Sequence, residues 1–106
     1  MSRPDIYWTG ESGRQYGYWI YAIEAQFRKI AGNFIFAKRT ETGEWVPIYI
    51  GHTRDFDEGM GDQEKEACAK GHGATHAHVH FSSPDEHVRK AEMADLVARW
   101  KPVCNS

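Results

Sequence analysis

The chain predicts an α+β fold: a small antiparallel sheet built on a hairpin, flanked by helices, with a C-terminal helix packed on the sheet. Three observations carry that expectation. Two β-type runs, Phe34-Ile35-Phe36-Ala37 and Trp45 to Gly51, flank a polar turn containing Gly43, which is the pattern of a hairpin. A charged segment and a short apolar run, Ala77 to Phe81, follow the hairpin. Finally, residues 83–102 carry a helix start, an apolar stripe and a stop. At 106 residues the chain is long enough for one domain with one modest core. Its 41% apolar and 26% charged residues are those of an ordinary globular protein.

Element by element, residues 1–14 read as an N-terminal arm, with Pro4, Gly10, Ser12 and Gly13 among polar residues. Tyr7 and Trp8 argue that part of this arm docks on the body formed by residues 15–106. Tyr16 to Ile23 is aromatic-rich on both parities and predicts a first strand. Glu24 to Ile30 is ambiguous between a helical turn and a strand. The two hairpin strands follow, and Pro47 near the start of the second places that strand at a sheet edge, where a missing N–H costs least. Asp55 to Lys70 predicts a weak helix interrupted by Gly59 and Gly61, ended by Gly71-His72-Gly73. Ser82-Ser83-Pro84 stops the next strand. In the last helix Ser83 is placed to cap, Pro84 to occupy the first position and Glu86 to close a capping box. Asp85 and Glu86 suit the positive end of the helix dipole, Arg99 and Lys101 the negative end, and Pro102 ends the helix.

On that helix Val88, Glu92 and Leu96 form one row, with Met93, Val97 and Trp100 beside it. The row turns Glu92 toward the body, where a carboxylate needs a partner or a cation. Ahead of it stand Tyr49-Ile50-Gly51 at the end of a strand, Phe34 in the preceding strand, and a terminal Pro102-Val103-Cys104-Asn105. From Asn33 to Asn105 this order resembles the GIY-YIG superfamily, which includes homing endonucleases, excision-repair incision subunits and some restriction enzymes. The resemblance implies a catalytic set of Tyr49, assisting activation of the attacking water; Glu92, holding one Mg²⁺ or Mn²⁺ ion; and Asn105, closing the site. A carboxylate suits such a hard cation, which would stabilise charge on a phosphoryl oxygen.

The departures from that pattern point in one direction. The first family tyrosine falls on Phe34, the family arginine on Gly59 and the family histidine or tyrosine on Gln63. Residues 55–66 hold Asp55, Asp57, Glu58, Asp62, Glu64 and Glu66 against Lys65, and such a face repels a phosphate backbone. Loss of one transition-state donor costs on the order of 10²–10³ in rate. The leading expectation is therefore a GIY-YIG-like domain, catalytically impaired, serving as a binding or assembly module. The alternative is an active Mg²⁺-dependent endonuclease in which Arg54 substitutes for the lost arginine and His52 lines the substrate cleft. DNA is disfavoured as a partner by the acidic segment, which leaves a protein partner.

A third class is a metal-binding protein. His76, His78 and His80 alternate, so a strand would set them on one face, with His72 or His87 as a further ligand for zinc, copper or nickel. Same-face neighbours on a strand lie nearly ~7 Å apart, which favours the blander reading of solvent-facing histidines with Ala77 and Val79 inward. Likewise Tyr16, Tyr18, Trp19 and Tyr21 lack the interleaved basic residues of a base-stacking surface and read as packing. Cys68 and Cys104 match no zinc spacing; two thiols in a reducing compartment is the expectation, with a disulfide as the other option. The formal charge of −2 gives no basic excess of the kind a nucleic-acid binder shows. No stretch has the length of a membrane span, no basic-then-apolar leader opens the chain, and the expected location is the cytoplasm.

Overall fold

The computed structural model describes residues 3–60 and 63–105. Gly61 and Asp62, invoked above as a helix interruption and an acidic neighbour, lie outside them. The elements in chain order are β1 (Ile6–Thr9), β2 (Gln15–Ala22), β3 (Gly32–Arg39), β4 (Trp45–Thr53), α1 (Gln63–Gly71), β5 (His76–His80), α2 (Glu86–Trp100) and a short 3₁₀ turn at Val103–Asn105. The five strands make one antiparallel sheet in the order β1-β2-β5-β3-β4. The expected α+β class, the hairpin and the C-terminal helix on the sheet are all present.

β3 is the central strand of the later half, pairing with β4 on one side and β5 on the other. It is buried on both faces. Phe34 and Phe36 point into one layer with Ile48, Phe56, Ala69, Ala77 and Val79, the layer that α1 covers. Ile35 and Ala37 point into the other with Trp8, Tyr18, Ile50 and Leu96, the layer under α2. This two-sided burial is why Asn33 to Ala37 is an unbroken apolar-rich run rather than an alternating one. Burying one such large side chain fully contributes about 1.5–3 kcal/mol.

Several local expectations are corrected. The arm of residues 1–14 contains a strand: β1 forms the sheet edge, and Trp8 is 3% exposed in the core. The β1–β2 turn is clasped by Asp95 of α2, which accepts from the Ser12 N–H at 2.8 Å, the Ser12 hydroxyl at 2.7 Å and the Tyr16 hydroxyl at 2.8 Å. Glu24 to Ile30 forms no regular element. β4 does lie at the other edge, as Pro47 required, and a bulge interrupts its pairing next to that residue. Among the described residues, regular helix in the charged segment is confined to α1, beyond Gly59, whose φ of 126° ordinary residues avoid.

At α2 the cap is Asp85, not Ser83: the Asp85 carboxylate accepts from the His87 N–H at 2.9 Å, while the Ser83 hydroxyl accepts from the Asp85 N–H at 3.0 Å. A carboxylate at the positive helix end outcompetes the serine. The helix ends at Lys101, in the left-handed region with its N–H on the Val97 carbonyl. Val88 is 49% exposed, so the inward row is Arg89, Glu92 and Leu96 instead. Cys68 and Cys104 are joined in a disulfide, Cα to Cα 6.1 Å, rather than standing as thiols. It ties α1 to the C-terminal turn. Among the described residues no helix is long and apolar enough to cross a membrane.

Candidate functional site

Glu92 is held where the helix pattern put it, 5% exposed beneath α2. Its carboxylate is fully engaged. The Tyr18 hydroxyl donates to Oε2 at 2.6 Å, and His80 Nδ1 lies 3.0 Å from the same oxygen and 3.1 Å from Oε1. Burial, then the neighbouring Glu92 charge, pushes the Tyr18 phenol well above its usual range, so it stays a donor. Mg²⁺ and Mn²⁺ are commonly held through one or two carboxylates with water completing the shell; here both oxygens of the single carboxylate already have protein partners, a phenol donating into it and an imidazole.

Tyr49 lies across the sheet from Glu92. Its ring packs on Phe34 and Phe36 at centroid distances of 5.9 and 6.2 Å, in the layer covered by α1. The intervening Ile50 points the other way, into the α2 layer. Successive strand side chains alternate faces, so the two residues of the expected catalytic pair cannot share a cleft. The glycine of the triplet has a packing reason: a Cβ on Gly51 would come 2.7 Å from the Phe34 ring and 2.9 Å from the Tyr49 ring. Asn105 acts on the backbone. Its Oδ1 accepts from the Ile50 N–H at 2.8 Å and its Nδ2 donates to the Ile50 carbonyl at 2.8 Å, so one side chain extends the sheet past edge strand β4.

Gly59 and Gln63, the positions where the resemblance expects an arginine and a histidine or tyrosine, do line one common cleft, on the α1 side of the sheet. Its apolar wall includes Phe27, Phe36 and Phe56; its polar lining includes Glu24, Asp57, Glu58 and Glu66, with no lysine or arginine. Comparison with known protein families, curated proteins and solved structures finds no match.

His52 and Arg54 line a second cleft, with Thr53, Glu58, Gly59, Glu86 and Arg89, which shares Glu58 and Gly59 with the first. Arg54 spends its charge on Glu58 at 3.4 Å, on the surface. Arg89 was missing from the sequence reading, yet it is the cation that reaches inward, 3% exposed. Its Nη1 donates to the carbonyls of Ser83 at 3.1 Å and Pro84 at 2.7 Å, and its Nε to His52 Nδ1 at 3.4 Å. Among the described residues it forms no ion pair with a carboxylate. Burial first, and Arg89 second, lower the His52 pKa and keep that imidazole neutral. The i, i+3, i+7 spacing of Arg89, Glu92 and Leu96 was the available signal; it was masked because arginine is ordinarily assigned to the wet face.

Among the described residues the three strand histidines do not gather into a metal-binding group; His78 is buried, while His76 and His80 are half-buried. His78 is fully buried and accepts from Trp8 Nε1 at 3.0 Å through Nδ1. Its proton then sits on Nε2, which has no conventional partner; the Trp45 ring stands edge-on to the imidazole, 4.7 Å away. His80 is taken by Glu92, and His76 Nδ1 lies 2.8 Å from the Thr75 hydroxyl. The three rings are spent separately because α2 and the N-terminal strand cover this face.

Proposed function

We propose that this chain is a GIY-YIG-like domain that has kept the scaffold, does not cleave phosphodiesters, and works in the cytoplasm as a binding module for a cationic protein segment. The observation that carries the proposal is the cleft lined by Gly59 and Gln63. Where a nuclease would present an arginine to phosphate, four carboxylates surround a wall of phenylalanine. Glu58 and Glu66 have exposed partners in Arg54 and Lys70, and surface pairs of this kind contribute only about 0–1 kcal/mol, so the cleft remains open to exchange. A lysine or arginine side chain fits both parts of it, with its stem on the rings and its head among the acids.

The order of hairpin, helix, strand and helix supports the scaffold half of the reading. Separation of Tyr49 and Glu92 onto opposite faces, and the engagement of Glu92 by Tyr18 and His80, support the loss of chemistry. An active endonuclease recruiting Arg54 would have to use an exposed side chain that lines the cleft holding His52 and Arg89 and not the cleft walled by Phe27, Phe36 and Phe56.

The test combines cleavage and binding on the full chain. Plasmid nicking with Mg²⁺ or Mn²⁺ is expected to stay at background. A labelled Lys/Arg-rich peptide is expected to bind, weakening with salt and in the doubly substituted Glu24→Gln, Asp57→Asn chain, whereas duplex DNA does not bind. Nicking that disappears in Glu92→Gln, or duplex binding tighter than peptide binding, overturns the proposal.

A further inference from the structure

Cys68, His72 and Cys104 bring three ligand atoms within 4.8 Å of one another, the one such group of three among the described residues. The sequence disguises it, because the cysteines are 36 residues apart. Cys68 and His72 stand i, i+4 at the C-terminal end of α1, one turn apart on one face. Cys104 arrives from the 3₁₀ turn, held there by the Asn105 side chain on Ile50 and by Lys65 Nζ, which donates to the Cys104 carbonyl at 2.9 Å. Three hydrogen bonds made by two side chains therefore fix the third ligand opposite the first two.

We infer that the reduced protein binds one Zn²⁺ ion through Cys68, His72 and Cys104, and that the disulfide is the alternative, metal-free state of the same two sulfurs. Zn–S bonds of about 2.3 Å and Zn–N bonds of about 2.0–2.1 Å set tetrahedral ligands some 3.3–3.8 Å apart. Small side-chain rotations from the present arrangement reach that spacing. Two thiolates and an imidazole select a borderline-soft cation over Mg²⁺. Three protein ligands leave the fourth position to water or an outside ligand, and graded exposure, with His72 open, Cys68 half-buried and Cys104 buried, leaves one approach from solvent. The negative end of the α1 dipole lies at Cys68 and His72 and favours a bound cation.

The two states interconvert with closed stoichiometry. A dithiol reductant delivers two electrons and two protons, breaks the Cys68–Cys104 bond and leaves as its own disulfide. Zinc then displaces one proton from each thiol and both pass to solvent. A small-molecule disulfide oxidant takes two electrons from the two thiolates and two protons from solvent, leaves as two thiols, re-forms the Cys68–Cys104 bond and releases the ion. One pair of sulfurs cannot serve both states, so binding reports the redox state of the compartment. The inference is independent of the acidic cleft and stands or falls without it.

The full chain is reduced with a non-chelating phosphine, two free thiols are verified by titration, and Co²⁺ then Zn²⁺ are added anaerobically. Expected are one equivalent of Co²⁺ with a thiolate-to-metal charge-transfer band and tetrahedral d–d bands, displaced by Zn²⁺, and no binding to the oxidised chain. Exposed His72→Ala leaves the fold and the two thiols in place; it should weaken Co²⁺ roughly 10-fold or more and alter the d–d bands, the scale on which changes around a metal reduce affinity. Absence of the bands in the reduced chain, an unchanged affinity in His72→Ala, or a disulfide that resists reduction in the folded protein each overturns the inference.

Discussion

Acidification should unfold this protein in part through one residue, His78. The imidazole is sealed between Trp8 and Trp45, and burial, with His76 adding a smaller push and Asp5 opposing, lowers its pKa from 6.5 to about 4. Between those values the unfolded chain holds a proton at His78 that the folded chain does not. Stability from this residue is thus full above pH 6.5, falls as pH drops, and is fully lost below about 4. The ceiling is the shift times ~1.4 kcal/mol per unit, or about 3 kcal/mol, of which some 2–3 kcal/mol should be lost between about pH 7 and pH 4.5. The comparison is with His78→Gln, whose amide oxygen still accepts from Trp8 Nε1 but does not titrate. Urea denaturation followed by tryptophan fluorescence at both pH values gives the four stabilities. Carboxylates contribute equally to both chains and cancel in the difference. If wild type and His78→Gln lose the same stability on acidification, His78 is not a buried neutral imidazole and the packing account of this face fails.

Three further outcomes are expected from denaturation midpoints. Glu92→Ala leaves the buried Tyr18 hydroxyl without its acceptor and should cost about 1–3 kcal/mol, the scale of an unsatisfied buried donor; a cost near zero would mean the carboxylate is not held as described. Gly51→Ala forces a methyl into the Phe34 and Tyr49 rings and should cost about 1–3 kcal/mol, with the Tyr49→Ala, Gly51→Ala double substitution costing less than the sum. Asn105→Ala removes two bonds to the Ile50 backbone, at about 0.5–1.5 kcal/mol each, and should speed amide exchange at Ile50 before any other β4 position.

Much of the architecture was legible in the residues themselves. The hairpin, β5 and the helix that ends at Pro102 follow from local rules: apolar runs of strand length, a glycine-bearing turn, a periodic stripe. The inward direction of Glu92 also follows, since helical period alone sets it against Leu96. What local rules cannot state is which layer of the sheet a residue joins, because that depends on what covers each face. Glu92 is inward by helical period and Tyr49 ends a strand, yet the two join opposite layers, and only the placement of α1 and α2 decided it. Trp8 and Trp45 likewise buried the middle one of three alternating histidines, Glu92 took the half-buried His80, and packing of α2 drew Arg89 in while leaving Val88 out. The cysteines are the plainest case. Their separation along the chain matched no motif, and the chain's return through Asn105 to β4 set them beside His72. The sequence by itself determined the hairpin, β5, the last helix and the inward glutamate; tertiary packing decided which residues meet, because side-chain proximity across a two-faced sheet is set by the covering layers and not by spacing.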